Sequence, residues 1–393
     1  MNLADRARAV IPGGTSRSTL FVPPAVPMVR SGQGAWLTDE SGARILDCNN
    51  NYTALVHGHR FEPIVRAVTE ALDEGTSFGL PTRREVVLAE HLRDRTGYEQ
   101  WRFCNSGTEA VMQAIRCARA VTGRDVVVRF HGSYHGTSDP VTDFDKPGVP
   151  HVEREAVVVL PQGDRSSLRE LFDTTGPKIA AVLIDLLPNR AGLRPADPEF
   201  VDDVRRLTAH NGALMIVDEV ITFRLTLGGL GPSYGITADL ATFGKVIGGG
   251  LPVGALAGRT DVMAAFDASS GPRIAWGGTF NANPLTMAAG LAAVEAYDES
   301  AIDQLNARGE RLRRRIGAAG VEVNGRGSLM RIVEDVDISD LWWGLYRRGV
   351  LVGTNALLAL STPMTDEDLD FAADAIIDAV QGVQPRRHPT RFK

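Results

Sequence analysis

Five predominantly apolar runs limit what this chain can fold into. They lie at 126–130 (VVVRF), 156–160 (AVVVL), 179–187 (IAAVLIDLL), 213–220 (ALMIVDEV) and 239–243. None alternates apolar with polar residues, which marks strands covered on both faces rather than one. Helical patterns at about 108–122, 165–173 and 198–210 separate them. Such alternation specifies an α/β fold with a mostly parallel central sheet. Beyond Pro284 the pattern changes. An alanine-rich helix (LTMAAGLAAVEAY) leads to a helix over 301–319 and short strands near 321–323 and 329–334. A helix over 337–348, strands at 350–352 and 356–360, and a final helix from about 365 complete the chain. This segment reads as a smaller α+β domain, completed by the amino-terminal residues. The expected domains are 59–290, the large one, and 1–58 with 291–393, the small one. The sequence shows neither internal repeats nor low-complexity segments.

A chain of 393 residues with 44% hydrophobic content can bury a sizeable core and is long enough for about two domains. Its apolar runs fall well short of the roughly 20 residues of a membrane span. The opening Met1-Asn2-Leu3-Ala4-Asp5-Arg6-Ala7-Arg8 leads into no signal-peptide core, so a cytoplasmic protein is expected. Cys48, Cys104 and Cys117 form no C-x-x-C pair, and they read as reduced core residues rather than as a disulfide framework or zinc site. The net charge of −6, with basic residues grouped only in the tail Pro385-Arg386-Arg387-His388-Pro389-Thr390-Arg391, argues against nucleic acid as the main partner.

Chemistry gathers where the runs end. Asp218-Glu219-Val220 closes one run and Lys245, in Phe243-Gly244-Lys245-Val246-Ile247-Gly248-Gly249-Gly250, stands at the end of the next segment, DLATFGK. A carboxylate and an amine would then stand at neighbouring strand ends, where α/β sheets collect ligands. A pyridoxal phosphate enzyme needs this pair: the lysine forms an imine with the cofactor, and the acid keeps its pyridine nitrogen protonated so that the ring accepts electrons. Taken singly, a loop lysine and a helix-capping acid have ordinary explanations.

Two further motifs add weight. Asn105-Ser106-Gly107-Thr108-Glu109-Ala110 comes after the apolar residues Trp101 to Cys104. Ser106 and Glu109 have capping-box spacing, and Ala110, Val111, Ala114, Ile115 and Ala118 form one helix face. The start of that helix, with two hydroxyls and a glycine, suits a phosphate dianion, although a well-capped helix with nothing bound would look the same. The chain contains no G-x-x-x-x-G-K-[ST] triphosphate loop. His131-Gly132-Ser133-Tyr134-His135-Gly136 succeeds the run 126–130, where Tyr134 can lie flat on a heterocycle. A metal site at His131 and His135 lacks further ligands at helical spacing.

With NSGTEA at 105–110, HGSYHG at 131–136, IVDEV at 216–220, FGKVIGGGLPVGALAG at 243–258 and GGTFNANPLTMAAG at 277–290, the chain resembles the class III, fold type I, pyridoxal phosphate-dependent aminotransferases. Within them it is most similar to the branch of glutamate-1-semialdehyde 2,1-aminomutase and the β-amino acid (β-phenylalanine) aminotransferases. The resemblance implies that Lys245 is the Schiff-base lysine and proton carrier, and that Asp218 pairs with the pyridine nitrogen. It implies Val220 and Tyr134 on the two faces of the ring, and Ser106, Gly107 and Thr108 on the phosphate. Thr279 would reach the phosphate of a neighbouring subunit, which makes the active unit a homodimer. Tyr52 aligns with an aromatic that flanks the substrate. Arg17, in Ile11-Pro12-Gly13-Gly14-Thr15-Ser16-Arg17-Ser18, aligns with a carboxylate-binding arginine.

Departures from the family pattern bear on substrate. Where Glu-Pro is usual the chain has Asp185-Leu186-Leu187-Pro188-Asn189-Arg190, and Arg190 either clamps a second carboxylate or braces a nearby acid. The segment between His135 and Val157 is shorter than in the aminomutases, where the corresponding loop retains the intermediate; this favours a transaminase that releases its first product. Val352-Gly353-Thr354-Asn355 stands where β-amino acid aminotransferases carry another arginine. The expected activity is transfer of an amino group between an amino acid, β-amino acids included, or a related amine and an oxo acid or aldehyde. Intramolecular transfer of the aminomutase type is the alternative.

Overall fold

The computed structural model describes residues 2–271 and 274–383; the basic stretch 385–391 lies outside them. Each of the five apolar runs becomes a strand of one seven-stranded sheet. Its members are β1 (Gln100–Cys104), β2 (Val126–Phe130), β3 (Val157–Leu160), β4 (Ile179–Ile184), β5 (Leu214–Asp218), β6 (Leu240–Gly244) and β7 (Gly254–Gly258), in the order β1-β7-β6-β5-β4-β2-β3. Neighbours are parallel from β6 through to β3. β7 runs antiparallel to both β6 and β1, so β1 points the same way as the parallel set. Every residue of β2, β4, β5, β6 and β7 is buried, which is why those strands show no alternation.

Helices α1 (Gly107–Thr122), α2 (Arg165–Thr175), α3 (Pro198–Asn211) and α4 (Pro284–Ala296) accompany the sheet. Val111, Ile115 and Cys117 of α1 pack into one core with Val127, Leu183, Ile216 and Leu256 from four strands. The start of α3 is fixed chemically: Asp197 accepts hydrogen bonds from the N–H groups of Glu199 and Phe200, and Pro198 takes the first helical position.

Backbone contacts divide the chain into two units, one of residues 62–303 and one that combines residues up to 61 with those from 304 onward. The second unit holds a four-stranded sheet of Val29–Gln33, Trp36–Asp39, Arg44–Asp47 and Val350–Leu351. A three-stranded antiparallel sheet of Val323–Arg326, Leu329–Ile332 and Leu357–Ala359 lies in the same unit. Its last helix, Asp366–Gly382, begins with a full capping box between Thr365 and Asp368. Cys48, Cys104 and Cys117 are all buried and free, and burial pushes their thiols up. Among the described residues no helix is long and apolar enough to cross a membrane.

Candidate active site

The carboxyl ends of β1, β2, β4, β5 and β6 share one sheet edge, the usual place for ligands in such sheets, and candidate residues lie at or just beyond them. Asp218 ends β5. Its Oδ2 lies 2.7 Å from His135 Nδ1, and its Oδ1 accepts hydrogen bonds from Thr242 Oγ1 at 3.1 Å and from the Val220 N–H at 3.1 Å. Burial alone would raise this carboxyl. The hydrogen bond and charge of His135, the Val220 N–H and the charge of Lys245 together hold it below its ordinary value. The outcome is a buried carboxylate that stays ionised.

Lys245 comes directly after β6 and takes φ 51, in the left-handed region. For a residue with a Cβ this costs roughly 1–2 kcal/mol, a strain of the kind that marks functional sites. Burial lowers its amine from 10.5 to about 8, against the opposing charges of Asp218 and Asp185. Asp185, after β4, is pushed up to about 7, chiefly by burial, and accepts a hydrogen bond from the Leu187 N–H at 2.9 Å. Glu219 plays a different part. It is buried and accepts from the N–H groups of Leu230 and Gly231 at 2.8 and 2.7 Å, anchoring that loop.

Ser106 caps α1, its Oγ accepting from the Glu109 N–H at 3.2 Å. The Glu109 carboxylate reaches back to the Asn105 N–H, at 2.6 Å, rather than to that of Ser106. The N–H groups of Gly107 and Thr108 precede any intrahelical acceptor. Close packing favours glycine around them. A Cβ on Gly136, whose φ is 105, would stand 2.5 Å from Thr108 Oγ1, and one on Gly107 would stand 3.2 Å from Val220. Ser106, Gly107, Thr108 and Val220 therefore meet Asp218, His135 and Lys245 at a single edge. Tyr134 lies beside them, partly exposed, with the Arg190 guanidinium over its ring. Among the described residues Arg190 makes no ion pair with an acid.

His135 was not singled out by sequence beyond the metal reading. It is almost fully buried, its Nε2 has no hydrogen-bond partner among the described residues, and no group of His, Cys, Asp and Glu there is placed to hold a metal ion.

Three further sequence-predicted residues have local surroundings of their own. Thr279 is exposed and lines a cleft of about 1130 Å³ with Phe78, Leu80, Trp101 and Phe280, a cleft that none of the residues above line. Arg17 and Tyr52 belong to the other unit, where both line a cavity of about 370 Å³. Arg17 Nη1 donates to Asn51 Oδ1 at 2.7 Å, and Tyr52 Oη donates to the Thr19 carbonyl at 2.7 Å. Four successive residues with side chains, Asn50 to Thr53, take positive φ in this turn. Hydrogen bonds secure it: Asp47 accepts from the N–H groups of Asn49 and Asn50, and Asn49 accepts from that of Tyr52.

Residues 22–380 match the family described as aminotransferase class-III. The β-phenylalanine transaminase of Variovorax paradoxus is 38% identical over 395 residues, covering 95% of this chain and 90% of that protein. The glutamate-1-semialdehyde 2,1-aminomutase of Anaeromyxobacter dehalogenans (strain 2CP-C) is 38% identical over 352 residues, 84% of this chain and 81% of that protein. A solved transaminase with pyridoxal phosphate bound has a TM-score of 0.94 at 37% identity, covering 97% of this chain and 96% of its own.

Proposed function

We propose, for a chain that belongs to the pyridoxal phosphate-dependent class III aminotransferases of fold type I, a cytoplasmic homodimer that transfers the amino group of an amino acid or related amine to an oxo acid or aldehyde. Residues 59–290 form its cofactor domain, and 1–58 with 291–393 its small domain. The observation that carries this reading is the meeting at one sheet edge of Lys245, its amine drawn towards neutrality, and Asp218, its carboxylate held ionised by His135.

The residues present fit the cofactor. Gly107 and Gly136 leave a cradle that a Cβ would fill, the start of α1 offers N–H groups to a dianion, and His135 brings an orphaned buried Nε2 to the edge. When bound, pyridoxal phosphate supplies an aldehyde conjugated to a protonated pyridine ring that accepts electrons. Ser106, Gly107 and Thr108 hold its phosphate, and Val220 and Tyr134 pack its ring. The Asp218 carboxylate holds the proton on the ring nitrogen, and His135 Nδ1 orients that carboxylate. Lys245 Nζ, unprotonated above about pH 8, would carry a proton from the amine-bearing carbon to the cofactor in the first half-reaction, and from the cofactor to the oxo carbon of the acceptor in the second, ending each half-reaction as it began. Arg17, Tyr52 and Arg190 bind substrate.

Support for the homodimer comes from exposed apolar residues around Thr279, namely Phe78, Leu80 and Phe280. The buried free thiols support a reducing compartment. A panel of α- and β-amino acids and simple amines, tested against the purified holoenzyme, should change the cofactor's visible absorbance and release free oxo product. Silence with every donor refutes the reading. A change with no free oxo product instead supports the aminomutase alternative, which the equally similar aminomutase relatives keep in view.

A further inference from the structure

Tyr134 has 39% of its surface exposed, and the Arg190 guanidinium carbon lies 4.4 Å from its ring centroid. The two come from different strands. Tyr134 lies just beyond β2, while Arg190 sits in the short 3-10 turn Asn189–Ala191 beyond β4. Gly132 lets the loops interlock, because at its φ of 77 a Cβ would stand 2.8 Å from that of Ala191. Stacking on an aromatic ring uses the face of a guanidinium and leaves its in-plane N–H donors available.

Those donors have no partner among the described residues. Among the described residues Arg190 makes neither an ion pair nor a hydrogen bond, and its side chain is exposed. The acids of this sheet edge are taken: Asp218 by His135, Thr242 and the Val220 N–H, and Asp185 by the Leu187 N–H. A guanidinium placed over an aromatic ring with unused donors matches a planar oxyanion, which it grips through two parallel hydrogen bonds.

We propose that Arg190 is a specificity-determining residue that takes the substrate carboxylate at this edge, so that the substrates are amines and oxo compounds bearing a carboxylate. The inference rests on the aminotransferase reading for the location of substrate. Tyr134 acts in it as a positioning residue, holding the guanidinium over its ring. The carboxylate is that of the amino donor, of the oxo acceptor, or of both.

The decisive measurement is calorimetric titration of the holoenzyme with 3-phenylpropanoate, a carboxylate with no amine to react. Arg190→Gln should weaken binding about ten- to a hundredfold, the usual effect of losing a charged hydrogen-bonded pair. Arg190→Lys should recover only part of it, because an ammonium offers no planar fork. In turnover, the preference for a β-amino acid over the corresponding amine without a carboxyl group should fall by a similar factor in Arg190→Gln. Each half-reaction run separately, with amino acid or with oxo acid, shows which carboxylate is held. Unchanged 3-phenylpropanoate affinity in Arg190→Gln would overturn the proposal, and full affinity in Arg190→Lys would overturn the planar clamp. Because the titration reads binding and not turnover, it decides the role of Arg190 even for a protein that transaminates none of the donors tried. An enzyme that transaminates while Arg190→Gln binds the carboxylate as the parent does leaves the aminotransferase reading standing and refutes this one.

Discussion

Lys245 should destabilise the cofactor-free fold, and replacing it with methionine should make that fold more stable. The two side chains have similar length and shape, and both would occupy the backbone at φ 51, so the comparison isolates the charge. Burial lowers the amine from 10.5 to about 8, and at about 1.4 kcal/mol per decade this corresponds to roughly 3 kcal/mol. Lys245 keeps some exposure, and solvent relaxes part of the penalty, so a gain of about 1–3 kcal/mol is expected for Lys245→Met at pH 7. The sign comes from proton binding. Below pH 8 the amine is charged in both folded and unfolded chains, and the whole penalty is present. Between about 8 and 10.5 the unfolded chain binds more protons, so parent stability rises with pH towards that of the variant. Above 10.5 the amine is neutral in both states and the difference vanishes. Urea denaturation of the two apoproteins, monitored by far-ultraviolet circular dichroism from pH 7 to 10.5, measures this directly. A variant no more stable than the parent at pH 7, or a difference that does not shrink with rising pH, refutes the claim that Lys245 is held against its charge.

Other perturbations test the site from different sides. His135→Leu leaves Asp218 as a buried charge without its partner at 2.7 Å and should cost about 3–5 kcal/mol of apoprotein stability by urea denaturation. Asp218→Asn keeps the size but loses the charge that holds the ring proton; single-turnover rates should fall at least about a hundredfold, and cofactor occupancy should fall less. Gly136→Ala forces a Cβ against Thr108 at positive φ, so fluorescence titration should show cofactor affinity lower by roughly tenfold or more. Thr279→Ala mixed with Lys245→Ala should regain activity through heterodimers with one intact site; demonstrated subunit exchange without recovery would refute a phosphate site shared between subunits.

The parallel part of the fold was legible because burial on both faces leaves a direct trace: 126–130 and 239–243 are mostly apolar and lack the alternation of a strand with one solvated face. β7 was not legible. Its sequence, Gly-Ala-Leu-Ala-Gly over 254–258, has little intrinsic preference for a strand. It becomes one because its register pairs Gly254 with both Gly244 and Cys104, where a Cβ would lie 2.0 Å from the Ser106 carbonyl oxygen. Small residues are selected there by close backbone approach, and a propensity argument reads such residues as loop. The run 179–187 misleads in the opposite way. It stays apolar after β4 stops at Ile184, since Asp185 turns the chain by accepting the Leu187 N–H while both leucines remain buried.

The same distinction separates the legible from the illegible parts of the site. Lys245, Asp218 and the start of α1 are tied to strand ends and a capping pattern, so their convergence is a consequence of topology. Their tuning is not. Whether Asp218 is ionised depends on His135, 83 residues away in sequence. Whether Lys245 is neutral depends on the balance between burial and the charges of Asp218 and Asp185. Balances of this kind are set by three-dimensional proximity within a low-dielectric interior, where one missing partner changes the sign of the result. Specificity obeys the same rule at Arg190. Sequence could place it after a strand end, but only the geometry of Gly132, Ala191 and Tyr134 reveals that its guanidinium lies over the Tyr134 ring, with no ion pair or hydrogen bond among the described residues. Substrate preference in such a fold is therefore encoded in the contacts between loops rather than in the motifs that announce the chemistry.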